Sequence, residues 1–148
     1  MMKKWLQKHL KNEKGLTLVE LLAVIVILGI IAAIAVPSIG GVIENTKYNA
    51  VKADATNALN AANLYFIEGA EEEVKVGTLV SEGYLESMGK LTSDMKITKA
   101  TKDITGTSSI YSGNKVVIFN TGATLEEITK DNQKGSSDGS KTIPKPAS

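Results

Sequence analysis

The sequence contains no cysteine and no arginine, and it has one histidine, one tryptophan and three prolines. The absence of cysteine excludes a disulfide framework, a thiolate zinc site and a cysteine nucleophile. The histidine and the tryptophan are His9 and Trp5, so the chain beyond residue 9 lacks the usual general base. No nucleophile motif and no glycine-rich phosphate loop replaces it. We therefore expect no catalytic residue, no cofactor and no metal ion, and an enzyme is not predicted.

Positive charge is concentrated at the N-terminus of the sequence. Residues 1–15 contain five lysines and one glutamate, a formal charge of +4, whereas the remaining residues carry 12 lysines against 15 acids, or −3. A net charge of +1 for the whole chain gives no bulk electrostatic reason for nucleic-acid binding. With 43% hydrophobic residues the chain is not a disordered one, and 148 residues allow one ordinary domain.

One long apolar run follows the basic N-terminus. Leu21–Val36 has sixteen residues without a polar side chain, and the run extends from Leu16 to Ile43 with few interruptions. A helix of about 20 residues, rising about 1.5 Å per residue, crosses the hydrocarbon core of a bilayer. The run is therefore long enough to span a membrane. The lysines before it are expected to remain cytoplasmic, which places the C-terminal body outside the cell.

Two simple interpretations of the run are a plain membrane anchor and a secretory signal peptide that is cut after Ala35. Glu20 argues against both, because a carboxylate inside an apolar segment costs roughly 3 kcal/mol near the bilayer centre and usually has a partner. No basic residue lies in the run. A cut before Leu16 would create an α-amino group one helical turn from Glu20.

Residues 14–20, with the sequence Lys-Gly-Leu-Thr-Leu-Val-Glu, resemble the cleavage and methylation signature of type IV prepilins and pseudopilins. The resemblance implies that a prepilin peptidase removes residues 1–15 by cutting after Gly15. It also implies that Leu16 becomes the N-methylated terminus and that Glu20 guides assembly. Leu16 departs from the phenylalanine that is usual at this position.

The resemblance extends to Gly29 and Pro37, which lie where this family often has a glycine and a proline. Proline removes a backbone hydrogen-bond donor, so we expect a kink or a locally flexible helix near Pro37. The alternative is that both residues are only tolerated, as they often are in membrane helices.

The resemblance implies a structural subunit of a type IV pilus or pseudopilus that polymerises into a helical filament through its N-terminal helix. Such a subunit is a single-pass membrane protein before assembly and part of a cell-surface filament afterwards. The implied partners are further copies of the chain, a prepilin peptidase and N-methyltransferase, an assembly ATPase, a platform membrane protein and membrane lipid. Adhesion, motility and DNA uptake remain open as uses. The alternatives are a pseudopilin of the type II secretion kind and a secreted or membrane-anchored binding protein.

The predicted fold class is α+β and pilin-like, with a long N-terminal helix packed on a small antiparallel sheet. Apolar residues at spacings of three and four predict one helix from Leu16 to about Glu68, with Gly69 as its stop. A short helical turn is predicted within Thr78–Leu85 and a strand at Met95–Lys99. A hairpin is also predicted, in which strands at Ser109–Tyr111 and Lys115–Phe119 flank a turn at residues 112–114. The predicted parts are a leader (1–15), the membrane half of the helix (16–41), a globular head (42–132) and a mobile tail (133–148).

Two weaker features complete the sequence-based predictions. Lys96, Lys99 and Lys102 form a basic cluster, which is interpreted either as a contact for DNA phosphates or, preferably, as lysines that protect a strand edge. Asp131, Asn132 and Asp138 are oxygen ligands of the kind that Ca²⁺ takes, although their spacing is loose. Without cysteine, the C-terminal region is expected to be held by packing alone.

Overall fold

The computed structural model describes residues 2–144, and for residues 5–16 it describes the backbone only. The chain divides into two compact units, residues 1–40 and residues 41–148. In chain order the elements are helix α1 (Met2–Glu68), strand β1 (Glu73–Lys75), helix α2 (Val76–Ser81), strands β2 (Lys96–Thr98), β3 (Asp103–Thr107) and β4 (Val117–Thr124), helix α3 (Leu125–Lys130) and strand β5 (Lys141–Ile143). The predicted α+β class is confirmed.

Helix α1 ends where the sequence predicted and begins earlier than predicted. Its last residue is Glu68, and the Gly69 amide donates a 3.0 Å hydrogen bond to the Tyr65 carbonyl. The prediction of a start at Leu16 is wrong, because the helical backbone already begins at Met2. The leader has five Lys, two Leu and two Met, which favour helix, and it contains no proline that would stop one.

The second unit is built around the C-terminal half of α1. Small and apolar side chains recur on one face of the helix and pack against apolar residues of the sheet. The core residues that α1 contributes are Tyr48, Val51, Ala55, Ala58, Leu59, Ala62 and Phe66, and those from the strands include Val74, Ile97, Ile104, Val117, Phe119 and Ile143.

The sheet has five strands in the order β1-β2-β3-β4-β5. The first three pairings are antiparallel, with Val74 opposite Ile97 and Ile97 opposite Ile104. The last pairing, between β4 and β5, is parallel. The prediction of an antiparallel sheet is therefore corrected to a mixed sheet, because the chain crosses over through α3 before it adds β5.

Several local predictions are confirmed, one is wrong, and one strand was not predicted. Strand β2 lies within the predicted Met95–Lys99, α2 with Gly83 at φ +84° forms the predicted turn, and a bridge between Ser112 and Lys115 closes the predicted hairpin turn. Ser109–Tyr111 does not form the strand that was predicted before that turn. Strand β3 was not predicted, since its sequence Asp-Ile-Thr-Gly-Thr has a single large apolar residue.

The prediction of a mobile tail at residues 133–148 is also corrected. Strand β5 pairs with β4, and Ile143 is fully buried in the core. Gly135 packs so closely on α1 that a Cβ placed there would lie 2.6 Å from the Glu44 carbonyl oxygen. The head therefore continues to residue 144, and residues 145–148 lie outside the described residues. The Gly- and Ser-rich composition predicted mobility wrongly, because these residues form close packing and turns instead of a flexible linker.

Candidate assembly helix and C-terminal clamp

The N-terminal part of α1 presents an unusually apolar surface. Over residues 17–43 the large apolar side chains are more than two-fifths exposed, with values of 67% for Leu18, 58% for Leu28 and 70% for Ile34. Among the described residues, α1 is the one helix that is long and apolar enough to cross a membrane. Exposure of this much apolar surface to water is unfavourable by about 25 cal/mol per Å². The segment therefore requires an apolar environment, either lipid or other helices.

Glu20 lies on α1 within this apolar surface and is exposed. Its neighbours Val19 and Leu21 are also exposed, at 66% and 59%. No lysine occurs between Lys14 and Lys47, so the segment itself supplies no cation for this carboxylate. Residues four apart lie on the same helix face, which puts Glu20 one turn after Leu16.

The predicted cleavage and flexibility positions all fall within α1. The backbone of Gly15 and Leu16 is helical. Gly29 is also helical, and a Cβ placed on it would have no neighbour within 4 Å. Pro37 lies inside the helix, whose assignment continues on both sides of it. The roles predicted for these residues and the kink at Pro37 remain predictions.

A buried polar cluster joins the second half of α1 to the segment after α3. The Tyr48 hydroxyl donates to Asp131 Oδ2 at 2.6 Å, and Lys52 Nζ lies 3.3 Å from the same oxygen. The Gln133 side-chain amide donates to Asp131 Oδ1 at 2.7 Å. The Asp131 side chain is 4% exposed and the Lys52 side chain 16% exposed. This carboxylate therefore serves a structural role, which differs from the calcium ligation considered for it.

A second polar cluster lies nearer the start of the head. Lys115 Nζ is 3.0 Å from Glu44 Oε2, and the Ser112 hydroxyl donates to Glu44 Oε1 at 2.8 Å. The Ser136 amide donates to Asn45 Oδ1 at 3.0 Å. Together the two clusters form the C-terminal clamp. They show that polar contacts join packing in holding this region, contrary to the expectation of packing alone.

No pattern in the sequence predicts the C-terminal clamp. In the sequence, Glu44 and Lys52 are ordinary polar positions of a helical pattern, and Tyr48 is one of four tyrosines. Their partners are distant in sequence, and Tyr48 and Asp131 are 83 positions apart. No local periodicity reports a pairing over that distance. The 2.6 Å hydrogen bond from the Tyr48 hydroxyl is the contact that identifies the pair.

The basic cluster does not protect a strand edge. Lys96 lies on β2, which is paired on both sides, and its ammonium is 2.9 Å from Glu73 Oε1. Lys99 Nζ lies 6.0 Å from the centre of the Phe66 ring, a cation–π distance. The preferred interpretation is therefore wrong. Among the described residues no group of three or more His, Cys, Asp or Glu side chains is arranged to hold a metal ion.

Residues 10–36 match the family model of the prokaryotic N-terminal methylation motif. The chain carries the type IV prepilin signature. The match includes Gly15, Leu16, Glu20 and Gly29, and it ends one residue before Pro37. Comparison with curated proteins and with solved structures gave no match. The motif indicates a structural precursor of the type IV pilin or pseudopilin kind, with a helix that is compatible with membrane anchoring.

Proposed function

We propose that this chain is a structural subunit of a type IV pilus or pseudopilus. In this proposal a prepilin peptidase cuts after Gly15, Leu16 is N-methylated, and the mature chain polymerises through its N-terminal helix. The observation that carries the proposal is the methylation motif at residues 10–36, which runs directly into an exposed apolar helix. The filament would serve adhesion and motility or DNA uptake.

The exposed surface of residues 17–43 supports polymerisation on physical grounds. Before assembly, lipid covers this surface, and on extraction another apolar environment must replace the lipid. A bundle of identical helices supplies that environment. Contacts between identical subunits that do not close into a ring generate an open helical filament, which is the assembly that the proposal requires.

Glu20 has a specific role in the proposal. After cleavage, the Leu16 ammonium of a neighbouring subunit is the cation that this carboxylate would meet in an apolar surrounding. A buried pair of this kind contributes little net stability, but a lone carboxylate there is costly. The pair therefore selects the register in which subunits enter the filament. Gly29 and Pro37 would allow close approach and bending of the packed helices.

The partners of the proposal follow from the same sequence of events. A peptidase with N-methyltransferase activity processes the precursor in the cell membrane, while the leader remains cytoplasmic and the head lies outside. An assembly ATPase and a platform membrane protein supply the work that moves the helix out of lipid. The chain itself is expected to contribute structure and no catalysis.

The mass of the mature N-terminus tests the processing step. Surface material is sheared from cells that produce the full-length chain, and the subunit is analysed by mass spectrometry and electron microscopy. We expect filaments whose subunit begins at methylated Leu16. A subunit that begins at Val36 would show a secreted protein, and one that retains Met1 and Trp5 would show a plain anchor; either result overturns the proposal.

Glu20→Ala tests the assembly step separately. We expect normal cleavage and membrane insertion but few or no filaments, because the new ammonium loses its partner. Glu86→Ala is the matched control, since this exposed head carboxylate makes no hydrogen bond or ion pair among the described residues. Wild-type filament yield from the Glu20→Ala chain would contradict the assembly role while leaving the processing result intact.

A further inference from the structure

Lys141 is a buried lysine at the start of β5. It is 5% exposed, and only Ser108 joins it among the buried polar residues that the structure describes. A buried ammonium group is costly unless it is paired or fully hydrogen bonded. None of the salt bridges formed by the described residues includes Lys141. Its charge must therefore be compensated in another way.

Three consecutive backbone carbonyls provide that compensation. Lys141 Nζ donates to the carbonyl oxygens of Ser137, Asp138 and Gly139 at 3.0, 2.9 and 3.0 Å. An ammonium group has three N–H donors, so these three bonds satisfy it completely. Carbonyl oxygens that converge on one point are also the ligands with which proteins replace the hydration shell of a cation.

Contacts outside the lysine side chain hold this loop in place. The Ser137 hydroxyl donates to the Lys134 carbonyl at 2.7 Å, and Gly139 adopts φ +76°, which lets the chain turn sharply. At the end of the loop, the Lys141 amide donates to the Val116 carbonyl at 2.9 Å. The carbonyls are therefore directed inward by the turn as well as by the ammonium group.

Two further lysines also contact backbone carbonyls, in the segment that precedes this loop. Lys52 Nζ donates to the Asp131 carbonyl at 2.9 Å, and Lys115 Nζ lies 3.4 Å from the carbonyls of Gly135 and Ser136. Three ammonium groups thus contact six carbonyl oxygens between residues 131 and 139. Lys141 differs from the other two because it has no carboxylate partner among the described residues.

We propose that the loop of residues 137–139 is a carbonyl-lined cation site whose resident cation is the chain's own Lys141 ammonium. The site takes an ammonium-type monovalent cation when that side chain is removed. In the wild-type chain, the positive charge of Lys141 as well as its bulk keeps β5 paired with β4. This inference rests on contacts within the head and does not depend on the proposed function.

Chemical rescue of Lys141→Ala tests the site in the full chain held in detergent micelles. Amide hydrogen exchange is measured at residues 141–143, and we expect it to be at least about tenfold faster in the variant. Ammonium chloride should restore slow exchange, because the ion fits the vacated position. Tetramethylammonium chloride at the same concentration is too large and should not restore it. In the wild-type chain neither salt should change the exchange rate.

Lys134→Ala is the matched control, since Lys134 is exposed shortly before this loop and its side chain makes no hydrogen bond or ion pair among the described residues. Exchange in this control should equal that of the wild type. Equal effects of the two ammonium salts on Lys141→Ala, or rescue by calcium chloride alone, would overturn the proposal.

Should Lys141→Ala fail to fold, acetylation of the wild-type chain decides instead. Lys141 must react far more slowly than Lys134, and equal rates would refute the site.

Discussion

The Tyr48 hydroxyl donates a 2.6 Å hydrogen bond to Asp131 Oδ2 and so joins the long helix to the segment that follows α3. The Tyr48 ring also lies 5.7 Å from the Tyr111 ring, and the Tyr111 hydroxyl donates to the Gly135 carbonyl at 3.2 Å. The chain has no cysteine and so no disulfide. These contacts and the rest of the C-terminal clamp hold the C-terminal segment in place instead. They fix the end of the head against the part of α1 that carries it.

The Tyr48–Asp131 pair gives the first prediction. Asp131→Ala leaves the Lys52 ammonium and the Tyr48 hydroxyl without their buried partner, and we expect a loss of about 3 kcal/mol in the free energy of unfolding. Tyr48→Phe removes one hydrogen bond and should cost about 1 kcal/mol. Urea unfolding of the full chain in micelles, followed by the near-ultraviolet circular dichroism of its tyrosines, measures both. Glu86→Ala should stay within about 0.5 kcal/mol of the wild type, and an equal effect of all three variants would contradict the clamp.

Two glycines with nearly the same backbone angle give the second prediction. Gly83 has φ +84° and Gly122 has φ +82°. A Cβ at Gly83 would have no neighbour within 4 Å, whereas one at Gly122 would overlap the Asp103 carboxylate. Rotation of this carboxylate relieves only part of the overlap, because its Oδ1 is buried and the Asp103 Cβ itself would lie 3.1 Å from the added Cβ.

We therefore expect Gly83→Ala to lower the free energy of unfolding by about 1 kcal/mol, which is the backbone cost of a left-handed alanine. Gly122→Ala should lower it by about 3 kcal/mol, because steric overlap adds to the same backbone cost. The same urea unfolding experiment compares the two variants. Equal losses would show that the contact with Asp103 contributes nothing.

Tyr84 gives the third prediction, on pH. Its hydroxyl donates to the Glu68 carboxylate, and this hydrogen bond together with burial raises the pKa of Tyr84 to about 12. The folded state thus favours the neutral phenol. The stabilisation from this group is complete below the unfolded pKa of about 10 and is lost as the pH rises from there towards 12.

The ultraviolet absorbance of phenolate, titrated in the wild type and in Tyr84→Phe, measures this pKa. The difference between the two titrations should have its midpoint near 12. In a Glu68→Gln background the midpoint should fall towards 10, because the charged acceptor is gone. A midpoint near 10 in the wild-type background would show that the hydrogen bond does not form in solution.

Local sequence patterns predicted the elements whose causes are local. Apolar spacing predicted α1 and its end at Glu68, and Gly83 predicted the turn after α2. The alternation of Met95–Lys99 predicted β2. Strand β3 escaped prediction because its partners on both sides, and not its own side chains, hold it in the sheet. The tail was mistaken for a linker because its glycines and serines are common to linkers and to tight packing.

The sequence by itself determined the N-terminal part of this protein. A motif of seven residues and an apolar run are continuous in the chain, and the physics of a helix in lipid depends only on its own composition. The tertiary structure alone decided how the head is closed. Tyr48 donates a hydrogen bond to Asp131, Lys115 forms an ion pair with Glu44, and the Lys141 ammonium donates to three backbone carbonyls. Such contacts depend on positions in space that are set by the whole fold, so no spacing along the chain reports them.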